Sequence, residues 1–250
     1  MIDRLRSELE IQKVRADHDW YRFTASADGT EATVSIYDEI SWYAVAAEDF
    51  ARELDALAPT VRTINLRINS PGGNVFDGHA IANRLRAHPA KVNVTVDGVA
   101  ASIASVIAMA GDTVTMGVGA MMMIHNPSVV VRGNSRDMRE VADLLDKFAA
   151  DSLAPAYAAK AGNEPADWLD AMAAETWYSG PEAVAAGLAD SVVEPPAGDD
   201  GQNAMTAAHD LTAYGWRYAG REHAPDPAAQ SRRTRSLAAV ARIRTLRKEI

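Results

Sequence analysis

Two side chains in this sequence stand where acyl-transfer chemistry could start. Ser102 lies at the mouth of GVAASIASVIAMAG (98–111), a run that is otherwise small and apolar. A hydroxyl buried there without a partner would destabilise the fold. It reads either as a helix N-cap or as a nucleophile at the positive end of a helix. His125 closes the apolar MMMIH and precedes Asn126-Pro127. A serine hydroxyl stays protonated near neutrality and needs such a base. The imidazole in turn needs an acid to fix its tautomer. Asp97, Asp112, Glu175 and Asp190 all lie near element ends, and residue type does not choose among them. NSPGG (69–73) supplies a third feature. Gly72 and Gly73 permit a sharp turn whose N–H groups, with that of Ile103 after the serine, can face a developing oxyanion. Ser105, one helical turn beyond Ser102, reads as a packing serine. No cluster of His, Asp and Glu has ligand spacing, so the site is expected to work without metal or cofactor.

These residues need strand ends and helix starts to hold them. In EATVSIYDEI, Ala32, Val34 and Ile36 alternate with polar residues, the period of a strand. AVAAEDFARELDALAP has helical spacing and stops at Pro59. TINLRINSPGG reads as a strand ended by its Pro-Gly-Gly, VFDGHAIANRLRAHP as a helix, and KVNVTVDG as a strand. The Ser102 helix follows, then short strands in DTVTM and MMMIHN. This succession of βαβ units calls for an α/β fold with a mostly parallel sheet, in which sites form beyond the strand ends. SRDMREVADLLDKFAADSLAPAYAAKAG reads as a long helix, bent or broken near Pro155. EPADWLDAMAA reads as a helix, and TWYSGPEAVAAGLADSVVE as strand, helix, strand. The expected organisation is an N-terminal segment (1–31), a catalytic domain (32–194), a linker (195–229) with Tyr214 and Trp216 available to dock, and a basic helical tail (230–250).

Bulk properties narrow the classes. The chain has 250 residues, is 48% hydrophobic and contains no cysteine, which excludes disulfides and thiol catalysis. No uninterrupted apolar run reaches membrane-span length, and MIDRLRSELE lacks a signal core, so a cytoplasmic protein without membrane contact is expected. The net charge of −9 is uneven. Residues 230–250 carry seven Arg or Lys against one Glu, so the tail could meet an anionic partner, nucleic acid included, or its own acidic body.

INSPGG, GVAASIAS, MMIHNP and YSGPEAVAAGLAD, in that order over about residues 32–194, together resemble the proteolytic subunit of Clp protease. The resemblance implies the ClpP/crotonase-like spiral of βαβ units with a protruding long helix, here followed by a C-terminal extension. It implies a serine endopeptidase with Ser102 as nucleophile, His125 as base, and backbone N–H groups of the turn at Gly72 and Gly73 and of Ile103 as the oxyanion hole. The family's third residue precedes the S-x-P-E-A serine by four positions and is usually Asp; here that position is Glu175, a departure. The resemblance also implies a homo-oligomeric ring, with subunits meeting along the helix near Ser135–Lys160, where Val141, Leu144, Leu145 and Phe148 form a stripe.

Two features set the chain apart from the housekeeping branch. Residues 1–31 show no match to the segment that docks a ring ATPase, and the extension after 194 exceeds the usual length. Both resemble the related head maturation (prohead) proteases of tailed phages, whose substrates are capsid, scaffold or portal proteins and whose setting is an assembling prohead. A ring-ATPase-dependent Clp subunit is the alternative, and a silent shell or scaffold protein of the same fold a second. Crotonases share the fold but do not need a Ser/His pair. Signal-peptide peptidases, another relative, use a Ser/Lys dyad, and neither Lys91 nor Lys147 lies in such a motif.

Overall fold

The computed structural model describes residues 20–40, 47–193 and 214–228; the expected basic tail and all but the end of the N-terminal segment lie outside them. Strands β1 (Tyr21–Ala25) and β2 (Glu31–Ile36) form an antiparallel hairpin. From β2 onward the alternation seen in the sequence is obeyed: Ala32, Val34 and Ile36 are buried and their neighbours are not. Helix α1 (Ala47–Asp55) leads to β3 (Thr63–Ser70), α2 (Val75–Ala87), β4 (Lys91–Ala101), α3 (Ile103–Ala108), β5 (Thr113–Met116) and β6 (Met121–Ile124). Asn74 caps α2 by accepting from the N–H groups of Phe76 and Asp77.

β2, β3, β4, β5 and β8 (Ser191–Val192) pair in parallel, giving the order β1-β2-β3-β4-β5-β8. β4 is long enough to serve two partners. Asn93–Val96 pairs with β5, and Val99–Ala101 pairs with β6. β6 in turn pairs antiparallel with β7 (Thr176–Ser179). The far end of β4 therefore opens a three-strand annex, β4-β6-β7.

The main core gathers Ile64, Leu66 and Ile68 of β3, Val92, Val94 and Val96 of β4, and Ile81, Leu85, Val106 and Ile107 from α2 and α3. The annex has a second apolar cluster on its other face. Val99, Ala101, Met123 and Trp177 are buried there, with Trp216, Tyr218 and Ala224 packed on them. Period two assigns the faces: Ala100, Met122 and Tyr178 belong to the main core.

The long helical stretch is α4 (Ser135–Phe148), a π-turn (Ala149–Leu153) and α5 (Ala154–Ala161). The expected irregularity near Pro155 is this widened turn, placed just before a residue with no N–H to donate. α4 begins with a capping box between Asn134 and Asp137. None of its residues is buried, and Met138 and Leu144 are exposed, as are Val129–Val131 ahead of it. α6 (Pro165–Ala173) precedes β7, and α7 (Gly180–Ala185) follows it.

Candidate active site

The site forms where β3, β4 and β6 end side by side. β3 pairs with β4 up to Ser70 and Ala100, so Pro71-Gly72-Gly73 lies beside the end of β4. Ser102 follows β4 directly, and its N–H donates to the Met123 carbonyl of β6. His125 follows β6. Its Nε2 lies 2.7 Å from Ser102 Oγ.

Ser102 occupies the N-cap position of α3 but makes no side-chain cap bond; its backbone is at φ +54, ψ −129. The hydroxyl faces His125 instead of capping α3. Left-handed φ strains a residue with a Cβ. Among the described residues only two non-glycines adopt it, Ser102 and Glu175, both at φ +54. Strain of this kind persists where the surroundings over-determine it, and such places cluster at functional sites.

The turn at Gly72 and Gly73 requires glycine. A methyl group on Gly72 would come within 2.7 Å of the Ala101 carbonyl oxygen and 2.8 Å of Ser102 Cβ. One on Gly73 would stand 2.2 Å from the Ile40 carbonyl oxygen. The Gly72 N–H donates to Ser70 Oγ at 3.1 Å, and that hydroxyl donates to the Asp38 carbonyl at 2.6 Å. Ile40 N–H donates to the Gly72 carbonyl, and Asn74 N–H to the Ile40 carbonyl. Neither Gly73 N–H nor Ile103 N–H has an acceptor among the described residues, so these two are the donors open to an oxyanion, while Gly72 supplies the close approach.

The four carboxylates separate once folded. Asp97 pairs with Arg67 and Tyr37. Asp112 accepts from Val92 N–H, and Asp190 from Val114 N–H and Lys160. Glu175 alone acts on His125. Burial pushes the imidazole below its ordinary value of 6.5, and the charge of Glu175 raises it again. The reason for their proximity is register. β6 and β7 pair through Ile124 and Thr176, so one further step sets His125 across from Glu175. The bonds to the Glu175 carboxylate come from elsewhere: Arg217 N–H at 2.7 Å, Tyr218 N–H at 2.9 Å and, weakly, Trp177 Nε1 at 3.5 Å. Among the described residues no group of three or more His, Cys, Asp or Glu is placed to hold a metal, and no helix is long and apolar enough to cross a membrane.

The family model described as Clp protease matches residues 18–196, most of the chain and all six of these site positions. The chain belongs to the Clp protease family. Among curated relatives, ATP-dependent Clp protease proteolytic subunit 3 of Streptomyces coelicolor is 32% identical over 136 residues, covering 52% of this chain and 61% of the relative. The subunit 3 of Rhodococcus jostii is 31% identical over 141 residues, covering 55% of this chain and 69% of the relative. The Deinococcus radiodurans proteolytic subunit is 34% identical over 143 residues, covering 56% and 69%. The mixed α/β architecture is that expected of a Clp protease fold.

Sequence reading named the glycines of NSPGG and passed over Ser70, whose hydroxyl ties the turn to Asp38. It also missed Arg217 and Tyr218. Their contribution is made through backbone N–H groups, which carry no signature of residue type.

Proposed function

We propose that this Clp protease family member is a serine endopeptidase acting by acyl transfer. The observation that carries this reading is the 2.7 Å contact between Ser102 Oγ and His125 Nε2 at a strained strand-to-helix turn. His125 takes the proton of Ser102 as the hydroxyl attacks a peptide carbonyl. The N–H groups of Gly73 and Ile103 receive the oxyanion. His125 then gives its proton to the leaving amine, and water releases the acyl group by the same route in reverse. Glu175 stabilises the imidazolium by charge. We further propose a homo-oligomeric ring, with α4 at the contact between subunits.

For substrate we propose capsid, scaffold or portal proteins in prohead maturation, on the strength of the extension beyond 194 and of residues 1–31, the two features that resemble that branch. The similarity to ATP-dependent Clp protease proteolytic subunits favours a second reading, a proteolytic subunit served by an ATP-dependent partner. A fluorophosphonate probe with peptide mapping tests the chemistry: label is expected on Ser102, and Ser102→Ala should lose it, with peptide cleavage falling by several orders of magnitude. Label elsewhere, or undiminished cleavage by Ser102→Ala, overturns the assignment. Cleavage of folded capsid protein without ATP separates the two substrate readings.

A further inference from the structure

The segment from Tyr214 to Ala228 lies beyond the family match, yet it returns to the site. Tyr214, Trp216 and Tyr218 are half-buried, while Gly215, Arg217 and Ala219 are exposed. The segment is a strap of turns and bends, with Gly215 at φ +68, that keeps its aromatic side chains down. The Trp216 ring meets Trp177 edge-on at 5.4 Å and stacks with Tyr214 at 5.0 Å. Further along, the Arg221 guanidinium forks onto Glu182, with Nε to Oε2 at 2.6 Å and a second bond from Nη2 to Oε1. Arg221 N–H also approaches Met121 Sδ at 3.3 Å.

We propose that this strap is a positioning element of the catalytic group, in which the Arg217 and Tyr218 amides hold the Glu175 carboxylate across from His125. The proposal rests on the peptidase reading. Three observations converge on it. Glu175 is buried, and a buried carboxylate without donors is strongly disfavoured. The two consecutive amides supply one donor to each of its oxygens. The Trp177 indole N–H reaches the Glu175 carboxylate, and Trp177 lies on the annex face that the strap covers. The Glu175 carboxylate is buried, and a charge held out of solvent acts more strongly on the imidazole. The strap touches no reacting atom and acts through Glu175.

The test compares second-order rate constants for fluorophosphonate labelling of Ser102 in the full chain, as wild type, Glu175→Gln, Trp216→Ala/Arg221→Ala, and all three substitutions together, each checked by melting. The strap variant should label more slowly by at least about tenfold, the scale of a lost charge-assisted bond. The combined variant should label no more slowly than Glu175→Gln alone, because the strap has no other route to the site. Trp216→Phe, which keeps a ring on Trp177, should restore the rate. Equal slowing in both backgrounds, or none in either, overturns the proposal. Labelling of Glu175→Gln at the wild-type rate overturns Glu175 as a triad member and the strap with it. A slowed Glu175→Gln beside an unaffected strap variant overturns the strap alone. Should the double substitution fail to fold, Glu182→Gln weakens the same anchor from the body side and enters the cycle under the same criteria.

Discussion

Ser102, Glu175 and Gly73 each hold a backbone conformation that their surroundings impose, and the chemistry follows from it. The hydroxyl meets His125 because φ at Ser102 is left-handed, which turns the side chain away from the cap position of α3. His125 must be neutral to accept the proton, and burial favours that form. Cleavage is therefore expected to rise with pH through an apparent pKa below 6.5, the ordinary imidazole value. Glu175→Gln removes the charge that raises this value, so the acid limb should move to lower pH. The rate at the plateau should fall by roughly 10³–10⁴-fold, the scale set by loss of a triad acid. A pH profile of kcat/KM for both proteins checks the direction and the loss together. Gly73→Ala places a methyl group against the Ile40 carbonyl and should destabilise the fold by more than about 1 kcal/mol while slowing labelling of Ser102; denaturant melts read the first effect and probe kinetics the second.

Among the elements, the strap has its own acid-sensitive anchor. The bond from Arg221 holds the Glu182 carboxyl at about 2, down from the ordinary 4.5. A depressed carboxyl adds stability that is fully present above 4.5 and is lost as pH falls toward 2. Acid should loosen the strap in that window, and Trp177 and Trp216 fluorescence should change with it; Arg221→Ala should show the loosened signal already at neutral pH. The elements also show what was legible in the sequence. Period-two patterns at Ala32–Ile36 and Ile64–Ile68 marked strands because one face of each is buried. Ser102, His125 and the glycine turn were legible as a set, through motifs that follow one another in one order; singly each has a structural alternative, as the N-cap is for Ser102. Glu175 could not be chosen over Asp97, Asp112 or Asp190 from residue type, since the register of β6 on β7 brings it across from His125. The docking of the strap was invisible beyond its aromatics, because it works through amides and through an annex face that exists only once β4 has changed partners from β5 to β6.

At the scale of the whole molecule, the chain leaves apolar surface where a ring would use it. Val129–Val131, Met138 and Leu144 are exposed, and α4 buries none of its residues. Phe148 is the exception in its setting, since its ring packs on Phe76 and His79 at 5.4 and 5.8 Å and ties the end of the helix to α2. Leu144 stands exposed and contributes little to the stability of one subunit, so it can be changed without unfolding the site. Leu144→Glu should leave the folding free energy of the subunit nearly unaltered, within about 0.5 kcal/mol, as is usual for an exposed position. It should lower the assembled mass measured by light scattering, because a charge buried between subunits without a partner is strongly disfavoured. Phe148→Glu should instead damage the subunit itself. A wild-type mass for Leu144→Glu would remove α4 from the assembly surface while leaving the Ser102–His125 chemistry untouched, since that pair is built from β4, β6 and their turns within a single chain.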